Sequence, residues 1–192
     1  MELWLATGNR GKLIEFQTLL PQLNIHTQNE MSYFTAPEET GKTFTENARL
    51  KARALRAVKN NVWVVGEDSG LEVIGLNNFP GVHSARYAGP RATDQENIAK
   101  LLKMMSLRSA QKREARFQCF MIAYSPEGKE HLVQGTLNGS ISERPRGTEG
   151  FGYDPVFIPV GQQKTLAELG LTFKNQISHR AQAIKKLQEL WG

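Results

Sequence analysis

Leu3-Trp4-Leu5-Ala6-Thr7-Gly8-Asn9-Arg10-Gly11-Lys12-Leu13 decides the fold class. Leu3 to Ala6 reads as a short buried strand, and Thr7 to Gly11 as a polar, glycine-containing loop. From Lys12 to Leu20 the residues Leu13, Phe16 and Leu20 recur at helical spacing, and Pro21 helps to end the helix. Strand, loop, helix is the order in which α/β folds often receive phosphate, because the first N–H groups of the helix lack intrahelical partners. The P-loop spacing and the dinucleotide-binding glycine pattern are both absent. Lys12 stands in a first turn, where a cation is unfavourable with the helix dipole. Either it faces solvent or a bound phosphate offsets that cost, with Thr7 and Asn9 adding donors.

Beyond this unit, a second helix is predicted from Phe44 to about Lys59. Thr43 and Glu46 have capping-box spacing, and Phe44, Ala48, Ala52 and Leu55 form its apolar stripe. Val62 to Val65 reads as a central strand that ends at Gly66-Glu67-Asp68-Ser69-Gly70, with extended character resuming from Leu71 to Leu76. A third helix is expected over Thr93 to Ser106, again with a Thr93/Glu96 capping box. Strands at Phe117 to Tyr124 and His131 to Leu137 would pair across the turn Ser125-Pro126-Glu127-Gly128. A short helix over Thr165 to Leu169 and a last helix from beyond Ser178 to Leu190 complete the pattern. Helices interleave with strands early and strands dominate the middle, which predicts an α/β fold: residues 1–192 as a single domain with two lobes and the ligand between them.

Composition narrows the function. The chain of 192 residues is 40% apolar, enough for a substantial core. Its net charge of +5 would help attract an anionic ligand without specifying nucleic acid. The densest basic run, Arg108 to Arg116, reads as an exposed connector. The single cysteine, Cys119, reads as a buried reduced thiol, which with the lack of a signal-like start or an apolar span predicts a soluble, cytoplasmic protein.

Several polar residues are placed where packing alone would not put them. Glu67-Asp68 is either a polar turn or a carboxylate pair presented at a strand's end to bind a divalent metal or orient water. Glu46 serves the capping box and is also a candidate second metal ligand. Lys51 borders an apolar helix face, so it either snorkels outward or reaches a phosphate. Gly150-Phe151-Gly152-Tyr153-Asp154-Pro155 combines glycines, aromatic rings and a carboxylate, as suits a loop around a flat anionic molecule. Phe151 and Tyr153 can stack on a base, and Asp154 can bind a base or brace the loop. Lys174-Asn175 and Ser178-His179-Arg180 offer cations to a base edge or a phosphate. His26, His83 and His131 have no metal-ligand spacing.

Taken together, these motifs resemble the Ham1-like inosine triphosphate pyrophosphatase family over nearly the whole chain. The resemblance is carried by Thr7 to Lys12, Thr43 to Ala48 with Lys51-Ala52, and Glu67 to Leu71. It continues through Pro80 to Tyr87, Pro145-Arg146-Gly147, Gly150 to Pro155 and Ser178 to Arg180. It implies an elongated mixed-sheet α/β fold with two lobes and a central nucleotide-binding cleft, in a cytoplasmic homodimer that uses Mg²⁺. The implied reaction converts ITP, dITP and XTP to the monophosphate and pyrophosphate, clearing deaminated purines from the nucleotide pool. No nucleic acid or membrane partner is implied. Thr7, Gly8, Asn9, Arg10, Gly11, Lys12 and Lys51 would bind phosphates, Glu46 and Asp68 would hold Mg²⁺, and Ser69 would contact substrate. Catalysis would rest on Asp68, Lys12 and Lys51. Phe151, Gly152, Tyr153 and Asp154 would shape the nucleoside pocket, and Lys174, His179 and Arg180 would favour a six-oxo base. Glu67 stands where an aspartate is common. A Maf-like pyrophosphatase acting on pyrimidine or modified nucleotides and a non-catalytic nucleotide or RNA binder are the alternatives.

Overall fold

A computed structural model describes residues 1–107 and 112–191. The basic run from Arg108 therefore lies partly outside the described residues. The fold is a mixed α/β sheet with helices, as expected. Its strands are β1 (Glu2–Ala6), β2 (Asn24–Thr27), β3 (Trp63–Val73), β4 (Phe79–Pro80), β5 (Glu114–Tyr124), β6 (Glu130–Ile141) and β7 (Phe157–Pro159). Its helices are α1 (Arg10–Leu19), α2 (Phe44–Val58), α3 (Asp94–Leu107), α4 (Leu166–Ile177) and α5 (His179–Gln188).

The chain forms two compact units. The first comprises Met1–Asp68, Cys119–Gly135 and Arg180–Gly192, and the second Ser69–Gln118 and Thr136–His179. In the first, β1 pairs in parallel with both β2 and β3. The pleat of β1 sends alternate residues to opposite faces. Leu3 and Leu5 pack with Phe16 and Leu20 of the α1 segment and Ile184 and Leu187 of α5, whereas Trp4 and Ala6 pack with Ala48, Ala52 and Leu55 of α2. Val65 and Val64 of β3 divide the same way. In the second unit, β3 pairs antiparallel with β4 and β6 antiparallel with β7. Its core joins Leu71 and Val73 of β3 to Ile98, Leu101 and Met105 of α3 and to Phe157 of β7.

Among the differences from the sequence reading are the extents of β3 and α4, and the extended stretch expected over Leu71 to Leu76 gives way to a 3-10 turn at Ile74–Leu76. β3 does not stop at Val65: it continues through Gly66 to Val73, so Glu67 and Asp68 lie within a strand and not in a turn. The glycines and carboxylates that suggest a turn are accommodated because Gly66 packs directly on a helix and both carboxylates find cationic partners. The expected short helix at Thr165 to Leu169 is the start of α4, which resumes beyond a break at Gly170 (φ 84°, ψ 165°) and runs to Ile177.

Gly66 is required by a close approach. A Cβ there would lie 2.2 Å from the Ala48 carbonyl oxygen and 2.4 Å from the Ala52 nitrogen, both α2 backbone atoms that cannot swing aside. Gly66→Ala is expected to destabilise the protein by about 1–3 kcal/mol or more through overpacking, read as a lower urea midpoint at unchanged slope.

Candidate functional site

The pleat of β3 has a direct chemical consequence. Ala6 is the last residue of β1 to pair with β3, opposite Gly66, so Glu67 and Asp68 lie just past the carboxyl end of β1. This is where open α/β sheets place ligands. The two carboxylates are adjacent in sequence but belong to opposite faces.

Asp68 faces α2. Its Oδ1 accepts a hydrogen bond from Lys51 Nζ at 3.0 Å and its Oδ2 one from Asn47 Nδ2 at 3.2 Å. Lys51 Nζ also donates to Glu39 Oε1 at 3.0 Å. Two carboxylates thus converge on one ammonium. Lys51 would lose its proton more readily through burial, but Asp68, Glu39 and Glu67 outweigh that and hold its pKa up. Burial raises the Asp68 pKa; Lys51 and Lys12 oppose the rise and Glu39 adds to it.

Glu67 faces α1 and α5 and is 1% exposed. Lys12 Nζ lies 2.5 Å from its Oε2, Arg180 Nη2 donates to its Oε1 at 3.0 Å, and the Cys119 thiol donates to the same oxygen at 3.3 Å. Arg180 also binds Glu15 of α1. Burial would raise the Glu67 pKa, yet Lys12, Arg180 and Lys51 bring it well below the usual carboxylate range. Burial, with the neighbouring Glu67 carboxylate, pushes the Cys119 thiol up and keeps it protonated.

The Thr7–Lys12 loop is ordered by its own side chains. Thr7 Oγ1 accepts from the Asn9 N–H at 3.1 Å, and Asn9 Oδ1 caps α1 by accepting from the Lys12 N–H at 3.0 Å. Gly8 and Arg10 are exposed, and Gly11 is half-buried. Glu46 carries the capping box that its spacing from Thr43 predicts. Its Oε2 accepts from the N–H groups of Lys42 and Thr43, at 2.6 and 3.2 Å, which is the capping-box role. Glu39 is the acidic residue that the fold brings to the Lys51–Asp68 pair.

The second unit holds the expected nucleoside residues. Asp154 Oδ2 accepts from Lys174 Nζ at 2.6 Å and from the Phe151 N–H at 3.0 Å. The Lys174 ammonium lies 4.4 Å from the centre of the half-buried Phe151 ring. Tyr153 is buried in the core, and its hydroxyl donates to the Ser84 carbonyl at 2.9 Å. It therefore anchors the loop from below instead of offering a stacking face. His179 is buried with its ring stacked on Phe117 at 4.8 Å. Ser69 is half-buried and follows Asp68 in β3. Arg180, grouped in sequence with Lys174 and His179, is committed to Glu15 and Glu67 in the first unit.

Sequence reasoning missed Glu15, Glu39 and Asn47. Glu15, beside Phe16 on a helix, and Asn47, beside Ala48 in an apolar stripe, were findable as polar residues at core-facing positions. Glu39 lies outside any helix or strand and carries no periodic signal.

The profile of the Ham1 family matches residues 3–190. The chain is 56% identical over 192 residues to the dITP/XTP pyrophosphatase of Bdellovibrio bacteriovorus, covering 98% of this chain and 96% of that one. It is 46% identical over 193 residues to the dITP/XTP pyrophosphatase of Geobacillus kaustophilus, covering 99% and 94%. The solved Ham1 protein of Staphylococcus aureus superposes with a TM-score of 0.88 at 39% identity, covering 100% of this chain and 98% of that one.

Arg180→Leu leaves Glu15 and Glu67 buried without their shared cation and is expected to cost about 3–5 kcal/mol in urea unfolding. Because the Glu67 pKa is lowered on folding, its contribution is present above the ordinary value of 4.5 and lost as pH falls below it toward the folded value. Stability of Glu67→Gln should accordingly fall less steeply than wild type in that acid range.

Proposed function

Since the chain belongs to the Ham1 family and is a hydrolase of the pyrophosphatase class, we propose that it hydrolyses dITP, ITP and XTP to the monophosphate and pyrophosphate. The observation that carries the chemistry is the convergence of Asp68 and Glu39 on the Lys51 ammonium at the carboxyl end of parallel strands. Two carboxylates that already share one cation have the charge and the oxygen chemistry that Mg²⁺ prefers. Among the described residues there is no group of three or more His, Cys, Asp or Glu suited to a metal. Mg²⁺ in phosphate sites needs only one or two carboxylates, with phosphate and water oxygens completing the shell. We assign Asp68 and Glu39 as its ligands, and Glu46 to the helix cap. Bound there, the ion would supply charge neutralisation on the phosphate oxygens.

The chain's own residues account for the rest. Asp68 orients the attacking water and accepts its proton as oxygen bonds to the α-phosphorus. The bond to the β-phosphate oxygen breaks, and pyrophosphate leaves. Lys51 offsets negative charge as it develops. The exposed turn Gly8 to Arg10 at the N-terminus of α1 binds phosphate oxygens, and Glu67 holds Lys12 in the first turn of that helix. In the second unit, Phe151 offers a ring face to the base. Lys174 and His179 supply donors that favour a carbonyl at C6 over the amino group of adenine. A homodimer acting in the cytoplasm on free nucleotides completes the proposal.

Purified protein with Mg²⁺ should release pyrophosphate and monophosphate from ITP and XTP, and far less from ATP, GTP, dTTP and UTP. Preference for dTTP or UTP would reassign it to pyrimidine nucleotides, and no turnover would favour a binder. Asp68→Asn should lower kcat about 10²–10⁴-fold with a small change in Tm. In a Mg²⁺ titration, Glu39→Gln should shift half-activation to higher metal concentration. Glu46→Ala should leave that midpoint in place and lose about 0.5–2 kcal/mol of stability through the lost cap.

A further inference from the structure

We propose that Asp94 is a positioning residue for nucleoside binding, holding the Phe151–Asp154 loop through the backbone of Gly152; this rests on the pyrophosphatase reading above. Asp94 is the first residue of α3, separated by 58 positions from Gly152, yet its Oδ2 accepts the Gly152 N–H at 2.7 Å. The ordinary explanation for an acidic residue there is helix capping, but that role is already filled. Glu96 Oε2 accepts from the Thr93 N–H at 2.7 Å and the Thr93 hydroxyl at 2.9 Å, while Thr93 Oγ1 accepts from the Glu96 N–H at 3.3 Å. The Asp94 carboxylate reaches across to the loop instead.

The loop needs this tie at one residue. Phe151 is fixed through its N–H to Asp154, Tyr153 through its hydroxyl to Ser84, and Asp154 through Lys174. Gly152, between them, has no side chain and a φ of +62°, a conformation that L side chains rarely adopt. A Cβ on it would meet nothing within 4 Å, so a side chain at that position would find no packing partner to hold the loop. The hydrogen bond to Asp94 fixes this peptide and, through it, the direction in which the Phe151 ring is presented. A carboxylate acceptor makes that bond stronger than a neutral one would.

The test uses the full-length protein with ITP and Mg²⁺, comparing wild type, Asp94→Ala and Asp94→Asn. Loss of one charge-assisted hydrogen bond predicts a KM for ITP raised roughly 5- to 20-fold in Asp94→Ala, with kcat within about twofold. Hydrogen exchange at the Gly152 amide, followed by NMR without substrate, should accelerate in the same variant. Asp94→Asn keeps an acceptor oxygen and should restore both readouts most of the way. A role confined to the helix dipole would instead lower Tm equally in both variants and leave KM and Gly152 exchange unchanged, which overturns the proposal. Faster Gly152 exchange with an unchanged KM also overturns it, since the bond would then hold the loop without serving the nucleoside. Wild-type protein that turns over neither ITP nor XTP overturns the pyrophosphatase reading itself, and the role of Asp94 with it. Turnover by wild type with an unaffected Asp94→Ala overturns Asp94 alone.

Discussion

The buried Glu67 carboxylate organises the first unit. An ionised group with 1% exposure is tolerable only if cations and hydrogen-bond donors replace the lost water. Lys12 from α1, Arg180 from α5 and the Cys119 thiol from β5 supply them. Each partner is consequently fixed by the same anion. Lys12 is drawn away from solvent at the start of α1, which resolves its unfavourable place near the positive end of the helix dipole. Arg180 is drawn into the unit, where Glu15 balances its charge further. Removing Lys12 or Arg180 would leave an uncompensated charge in a low-dielectric setting, so the cluster behaves as a unit and not as a sum of pairs.

The pleat of β3 then separates structure from chemistry. Glu67 turns to the α1/α5 face and is fully occupied by its cations. Asp68, one residue on, turns to the α2 face and meets Lys51, Asn47 and, through Lys51, Glu39. The direction of the two pKa shifts follows this division. Cations outweigh burial at Glu67 and lower its pKa, while burial outweighs the cations at Asp68 and raises it. An anchor held ionised at neutral pH and a carboxylate more ready to receive a proton come from neighbouring positions with the same kind of side chain. Gly66 makes the arrangement possible by letting the α2 backbone approach the strand where a methyl group would collide with it.

In the second unit, the Phe151–Asp154 loop is ordered by polar contacts from several directions. Asp154 binds both the loop's own backbone and Lys174, and Tyr153 ties the loop to the Ser84 carbonyl. Phe151 is left half-buried with a cation near its ring, so an apolar face and a hydrogen-bond donor stand side by side. Tyr153 and Phe151 have similar chemistry in sequence. Packing gives them opposite tasks, one in the core and one at the surface.

The sequence by itself determined the elements whose signals are local. The apolar run of β1, the stripe and Thr43–Glu46 cap of α2 and the strand pair β5–β6 follow from periodicity and capping chemistry within a few residues. The family, too, was legible, because its motifs are contiguous strings in fixed order. Tertiary structure alone decided which charges meet. Glu39 reaches Lys51, Arg180 reaches Glu15 across 165 positions, and Asp94 reaches Gly152 across 58. It also carried β3 through a stretch whose glycines and carboxylates read locally as a turn. Charge pairing and close backbone approach depend on distances between segments far apart in the chain, and those distances are set by how helices seat on the sheet. A single sequence records the side chains at both ends of such a contact, but not that they touch.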